Sequence, residues 1–214
     1  MAIPNPGHHG PAGSVRVLGD LWAGNRDGLS AQGLWLRRAV LVALGIAALV
    51  IAAKMRVPFW PVPLTMQTFA VLSIGAAFGP MLAGMVLLGY LALGAMGLDV
   101  FTSSSAEDFG LSYMMGGTGG YLVGFLAAAL LLGALARQGW DRHPSRMLLA
   151  MLAGEVVIFL PGVLWLGHLY AEAQGWAWVI EVGLTNFLPA EVLKMALAML
   201  LFPILWRIVG RARA

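Results

Sequence analysis

Glu191 and Lys194 are the residues of this sequence best suited to chemistry. They stand three apart in an apolar stretch, residues 182–206, that holds no other charge. Residues at i and i+3 share one face of a helix. One side chain accepts hydrogen bonds and the other donates them. The pair is therefore either an ion pair that locks helix packing or a ligand-binding pair. Glu155 is the single acid of residues 147–171. It fits a proton site, a ligand contact or a neutral packing residue.

Residues 57–67 carry Pro58, Pro61 and Pro63, which stiffen the chain into an extended strand. Phe59 and Trp60 offer flat apolar faces there, and Thr65 and Gln67 follow at a helix start. The segment reads as an interfacial aromatic anchor or as a stiff lid over a binding cavity. Residues 116–121 form a glycine run that contains Thr118 and ends at Tyr121. It lacks the Lys-Ser/Thr ending of a nucleotide loop. Its glycines let backbones approach one another or a ligand.

These residues need elements to position them, and composition names the material. The chain has 214 residues, 60% hydrophobic and 11% charged. Soluble domains average about 45–50% apolar and about 25% charged. An ordinary soluble enzyme and a disordered chain are both excluded. With no cysteine, disulfides, thiolate metal sites and a thiol nucleophile are excluded as well. The net charge of +3 and the lack of a basic face argue against nucleic acid as a partner. An all-α integral membrane protein in contact with lipid remains, with no cofactor and no metal expected.

Residues 1–33 differ in composition and read as a flexible cytoplasmic tail. They include His8 and His9, which nothing nearby completes into a metal site. Residues 34–210 read as the membrane domain. Apolar blocks run over 39–53, 64–98, 109–136, 147–171 and 182–206. The second block is too long for one span: 35 residues would make a helix of about 52 Å against a bilayer core of about 30 Å. Gly79-Pro80 at its middle is the natural turn. Two short spans, 64–78 and 81–97, then bring the total to six.

Charge tests that count. With six spans and the N-terminus inside, ten arginines lie inside and only Lys54 and Arg56 outside; five spans would give four inside and eight outside. The positive-inside bias selects six spans with both termini cytoplasmic. The last helix then begins outside, which sets Glu191 and Lys194 one or two turns below the outer surface. Ala39, Ala43 and Ala47 form a smooth ridge on the first span. It serves either internal packing or the docking of a partner membrane protein.

Taken together, the residues from about 40 to 208 resemble the BioY biotin transporter family, the substrate-binding S component of energy-coupling-factor transporters. The most specific stretch runs through Val57, Pro58, Phe59, Pro61, Val62, Pro63, Thr65, Gln67 and Thr68. Residues 97–101, the run ending Thr118-Gly119-Gly120-Tyr121, and Glu191 with Lys194 in the family's acid-x-x-Lys motif complete it. The resemblance implies a six-helix protein of the bacterial inner membrane with a biotin pocket near the outer face, capped by the first and third loops. It implies that Glu191 and Lys194 bind biotin, and that the pocket draws on Thr65, Gln67, Phe59, Trp60, Thr118, Tyr121 and Glu155. It also implies a coupling membrane subunit on the alanine ridge, with energy from separate ATPase subunits; a homo-oligomer stays open.

The sequence departs from the family pattern at Gly117, where proline is usual, at Glu191, where Asp is usual, and at Glu155, where many members have Asn. Between Val57 and Ala136 there is no Lys or Arg, so a third-loop arginine for the biotin carboxylate has no counterpart. Lys54 or Arg56 could reach it from the first loop. Two other readings compete: a self-sufficient proton-coupled transporter with Glu155 or Glu191 as proton carrier, and a structural protein whose polar pair only locks helices.

Overall fold

The structure, a computed structural model, describes residues 15–23, 30–57, 64–102 and 109–211. Within these the fold is helical, apart from a two-residue antiparallel ribbon. A bilayer offers no water to unpaired backbone groups, so an apolar chain closes its hydrogen bonds within helices. Helix α2 (Ala31–Lys54) is capped by Ser30, whose side chain accepts from the Gly33 N–H. It turns Gly45, Leu49, Ala52 and Ala53 inward. The ridge of Ala39, Ala43 and Ala47 is exposed on the outside of the bundle. Those alanines therefore do not serve packing within the described fold.

After α2 the ribbon pairs β1 (Arg56–Val57) with β2 (Leu64–Thr65), Arg56 opposite Thr65. Phe59 and Trp60, two of the expected ligand contacts, lie outside the described residues. Helix α3 (Gln67–Ala95) follows, and it is broken at Gly79, whose φ of 76° and ψ of 171° are not helical. A straight helix would hold Gln67 and Tyr90 about 34 Å apart. Instead the Gln67 side-chain amide donates to the Tyr90 hydroxyl at 2.9 Å. The chain thus reverses at Gly79-Pro80, and residues 67–78 and 80–95 lie side by side.

The short helix α4 (Gly110–Met115) leads through Gly116–Thr118 into α5 (Gly119–Ala136), and a single 3-10 turn (Trp140–Arg142) leads on to α6 (Pro144–Gln174). Then come α7 (Trp176–Ile180), a π-helical turn (Glu181–Thr185) and α8 (Leu188–Arg211). Helix α5 sits between α3 and α6 and packs on both. Lipid tails are as apolar as leucine, so close approach at small residues holds such helices together. At Gly124 an added Cβ would run into the Ile158 backbone. Among the described residues, five helical stretches are long and apolar enough to cross a membrane: α2, α3, α5, α6 and residues 176–209.

One expectation changes here. Of the stretch read as a free tail, residues 15–23 with α1 (Asp20–Ala23) are seated on the bundle. Val17 is fully buried, the Val15 N–H donates to the Arg137 carbonyl at 2.6 Å, and the Gly19 N–H donates to the Ala77 carbonyl at 2.7 Å. Both oxygens of Asp20 accept from the Arg137 guanidinium. The reason is chemical: one buried valine and one two-pronged ion pair hold the segment where its Gly- and Pro-rich surroundings signalled none.

Candidate functional site

The start of α3, the loop at Phe101 and Thr102, α4, α5, α6, α7 and α8 surround a cavity of about 570 Å³. Its wall is aromatic: Phe101, Tyr113, Tyr121, Phe125, Phe159 and Phe187 all face it. Phe101 stacks on Tyr113 with ring centroids 4.8 Å apart, and Tyr90 meets Phe101 edge-on at 5.4 Å. Gly94 makes room for the Phe101 ring, which would overlap any side chain there.

The polar end is built from α3 and α8. Lys194 donates to Glu191 Oε1 at 2.8 Å and to Thr68 Oγ1 at 2.9 Å; Thr68 in turn donates to Glu191 Oε2 at 2.8 Å. The three side chains close a triangle, and each is less than a tenth exposed. Each Glu191 oxygen accepts one hydrogen bond within the triangle, the Glu155 carboxyl packs against the same side chain, and Lys194 has one N–H left over. Beside the triangle, the Gln67 carbonyl accepts from Thr102 at 2.9 Å. The Tyr90 hydroxyl, which receives the Gln67 amide, passes its own proton to the Val100 carbonyl at 3.1 Å. Gln67 is thus fully oriented, and a buried network oriented in this way is stiff.

Of the residues expected to bind, Thr65, Gln67, Thr118, Tyr121 and Glu191 line the cavity. Lys194 stands just behind Glu191. The Tyr121 hydroxyl donates to the Gly183 carbonyl at 2.6 Å, so it ties α5 to the π-helical turn and presents its ring to the cavity. The glycine run also packs: the Gly116 carbonyl accepts from the Trp165 indole at 2.8 Å, and Gly120 abuts the Pro161 backbone.

Glu155 is buried but is not part of the cavity wall. Its carboxyl lies against the Glu191 carboxyl, with Lys194 as the neighbouring cation. Lys54 does not reach into the cavity. It clamps Asp99 at 2.5 Å and the Phe101 carbonyl at 2.7 Å, which ties the end of α2 to the loop that carries the aromatic wall.

The sequence reading missed Thr68, Tyr90, Thr102 and the aromatic lining as parts of the site. Thr68 carried a signal, a third polar residue beside Thr65 and Gln67 at the mouth of an apolar helix. The aromatics carried none, because apolar helices contain such residues everywhere.

Among the described residues no group of three His, Cys, Asp or Glu side chains is placed to hold a metal. What the cavity offers is an apolar slot with a charged, hydrogen-bonding floor. It suits a flat apolar ligand that both donates and accepts at one end. Fold and site together define a multi-pass helical membrane protein built around a small-molecule pocket. Residues 24–211 match the model of the BioY family, and the chain belongs to that family.

The probable biotin transporter BioY of Pyrococcus horikoshii is 35% identical to it over 161 residues, 75% of this chain and 91% of that protein. The biotin transporter BioY of Thermotoga maritima is 30% identical over 166 residues, 78% and 94% of the two chains. Among solved structures, the S-component for biotin from an ECF-type ABC transporter superposes with a TM-score of 0.66 at 21% identity. That match covers 84% of this chain and 95% of the other, and it establishes a shared fold.

Proposed function

We propose that this chain is the biotin-binding membrane subunit of a biotin uptake system, not an enzyme, and that partner ATPase and coupling subunits supply its energy. The observation that carries the reading is the Thr68–Glu191–Lys194 triangle at the end of an aromatic cavity in a member of the BioY family. Biotin has a ureido group that donates and accepts, an apolar fused ring and a carboxylate. Glu191 and Thr68 at the cavity wall, with Lys194 behind them, match the ureido group, and the aromatic wall matches the ring. Phe59 and Trp60, on their proline-stiffened segment, are the lid in this reading.

In the membrane, the chain crosses six times: α2, the two halves of α3, α5 preceded by α4, α6 and α8. Both termini are cytoplasmic, residues 34–210 form the membrane domain, and the pocket opens near the outer face of a bacterial inner membrane. The reversal at Gly79 and the ten-to-two arginine and lysine asymmetry support this. Reporter fusions at Arg142 and after Ala214 are expected to read cytoplasm, and fusions at Glu107 and Gln174 to read outside. A cytoplasmic signal at Glu107 would overturn both the six spans and the pocket's position.

The exposed Ala39–Ala43–Ala47 ridge is the docking face for the coupling subunit. Close helix approach needs small residues, and a large ring separates the helices. Ala47→Trp is expected to abolish co-purification with the coupling subunit while biotin still binds. Uptake by whole cells should require the coupling and ATPase subunits. The buried Glu155 carboxyl beside Glu191 and Lys194 favours the second reading, a self-sufficient proton-coupled carrier. Uptake without partners, abolished by a protonophore and by Glu155→Gln, would decide for that one.

A further inference from the structure

A second cavity, of about 530 Å³, lies away from the aromatic one and shares no residue with it. Three arginines from separate parts of the chain line it: Arg16 before α1, Arg142 in the 3-10 turn and Arg207 in the last turns of α8. No acid is among its lining residues. Of Asp20 and Asp141, the acids closest in sequence to these elements, Asp141 is a countercharge to Arg142, and neither lines the cavity. Asp20 holds Arg137, and Asp141, itself buried, accepts from the Trp206 indole at 2.5 Å. Burial also pushes the Asp141 carboxyl above its ordinary range, which weakens it as a countercharge.

The cavity is assembled, not accidental. Arg142 lies over the Trp206 ring with 4.3 Å to its centroid and donates to the Arg16 carbonyl at 3.1 Å. The Val15 N–H, bonded to the Arg137 carbonyl, fixes the Arg16 segment beside it. The positive-inside bias accounts for arginines at this end of the bundle, but not for three of them lining one cavity. Asp141 is an electrostatic neighbour of Arg142 only, and no acid lines the cavity beside Arg16 and Arg207. The remaining wall is apolar, with Pro203 and Val209 on α8. Guanidinium forks match phosphate oxygens, and basic pockets at the cytoplasmic ends of membrane helices take anionic lipid headgroups.

We propose that this cavity seats the phosphate headgroup of an anionic membrane phospholipid, with Arg142 and Arg207 on the phosphate and the lipid chain along Pro203 and Val209. The apolar wall and the tryptophan select a lipid over free phosphate. A bound lipid would bridge residues 15–16 to α8 and so secure the N-terminal segment on the bundle.

The test is thermal melting of the purified full chain in non-ionic detergent, with phosphatidylglycerol, phosphatidylcholine or inorganic phosphate added. Phosphatidylglycerol is expected to raise the midpoint, while phosphatidylcholine and millimolar phosphate leave it in place. Arg142→Gln with Arg207→Gln should raise the phosphatidylglycerol concentration needed by roughly thirtyfold, the factor that two arginines of ordinary strength supply. Arg142 also holds the Arg16 carbonyl, so Arg207→Gln alone serves as the variant that breaks no hydrogen bond of the described fold. It should need roughly fivefold more lipid. An unchanged response in both variants would overturn the proposal, as would an equal shift from phosphatidylcholine. An equal shift from inorganic phosphate would make the cavity a soluble-anion site and reject the lipid.

Discussion

Lys194→Ala is expected to weaken biotin binding by at least about 2 kcal/mol, or roughly thirtyfold. Lys194 is 6% exposed and donates to both Glu191 and Thr68. Removing it deletes the donor that holds Glu191 and Thr68 from behind the cavity wall, and leaves the Glu191 carboxylate buried with Thr68 as its hydrogen-bond donor. Breaking a buried ion pair on one side costs about 3–5 kcal/mol, so loss of binding must be separated from loss of fold. Lys194→Met combined with Glu191→Gln does this. The double variant removes both charges of the pair together, so neither partner is stranded, and the fold is expected to survive. It also presents neither the donor nor the charged acceptor, so biotin should still bind poorly. Calorimetric titration of both purified variants, with thermal melts as the folding control, reads the two effects apart. Near-native affinity in a folded double variant would make the triangle a structural lock and move the ligand contacts elsewhere.

The triangle also shows how far the sequence carries the site. Glu191 and Lys194 are readable because their contact is local: three residues on one helix face, in a span with no other charge. Thr68 lies 123 residues from Glu191, and only the packing of α3 against α8 brings it there. The same holds for the aromatic wall, whose rings come from the 99–101 loop, α4, α5, α6 and the turn before α8. No spacing rule links them. Glu155 was readable as a costly acid in an apolar helix, but its position behind the cavity wall depends on the rotation of α6 in the bundle. The seating of residues 15–23 was hidden for a similar reason. Asp20 finds its partner at Arg137, 117 residues away, while the local composition signals only a tail. The turn at Gly79-Pro80, by contrast, was legible because a length limit and two turn-forming residues coincide.

A single substitution at that turn is expected to damage the fold severely. Gly79 has φ 76° and ψ 171°, a region that belongs to glycine and costs other residues about 1–3 kcal/mol. A Cβ there would also sit 3.1 Å from Arg137 Nε and 3.3 Å from a Val17 methyl. Arg137 cannot easily withdraw, because Asp20 holds it with both oxygens. Gly175 supplies the control within the same chain. Its φ of 82° and ψ of 154° lie in the same region, but nothing stands within 4 Å of the Cβ it lacks. Gly175→Ala therefore reports the backbone strain alone, and Gly79→Ala reports strain plus collision. Gly79→Ala is expected to lower the melting midpoint more than Gly175→Ala. Gly79→Val, with two more carbons against Arg137 and Val17, should leave little folded protein to purify. Biotin affinity should fall with it, because the reversal is what returns Tyr90 to Gln67. Equal midpoint losses from Gly79→Ala and Gly175→Ala would show that the seat of residues 15–23 yields freely and that the turn is held by backbone conformation alone.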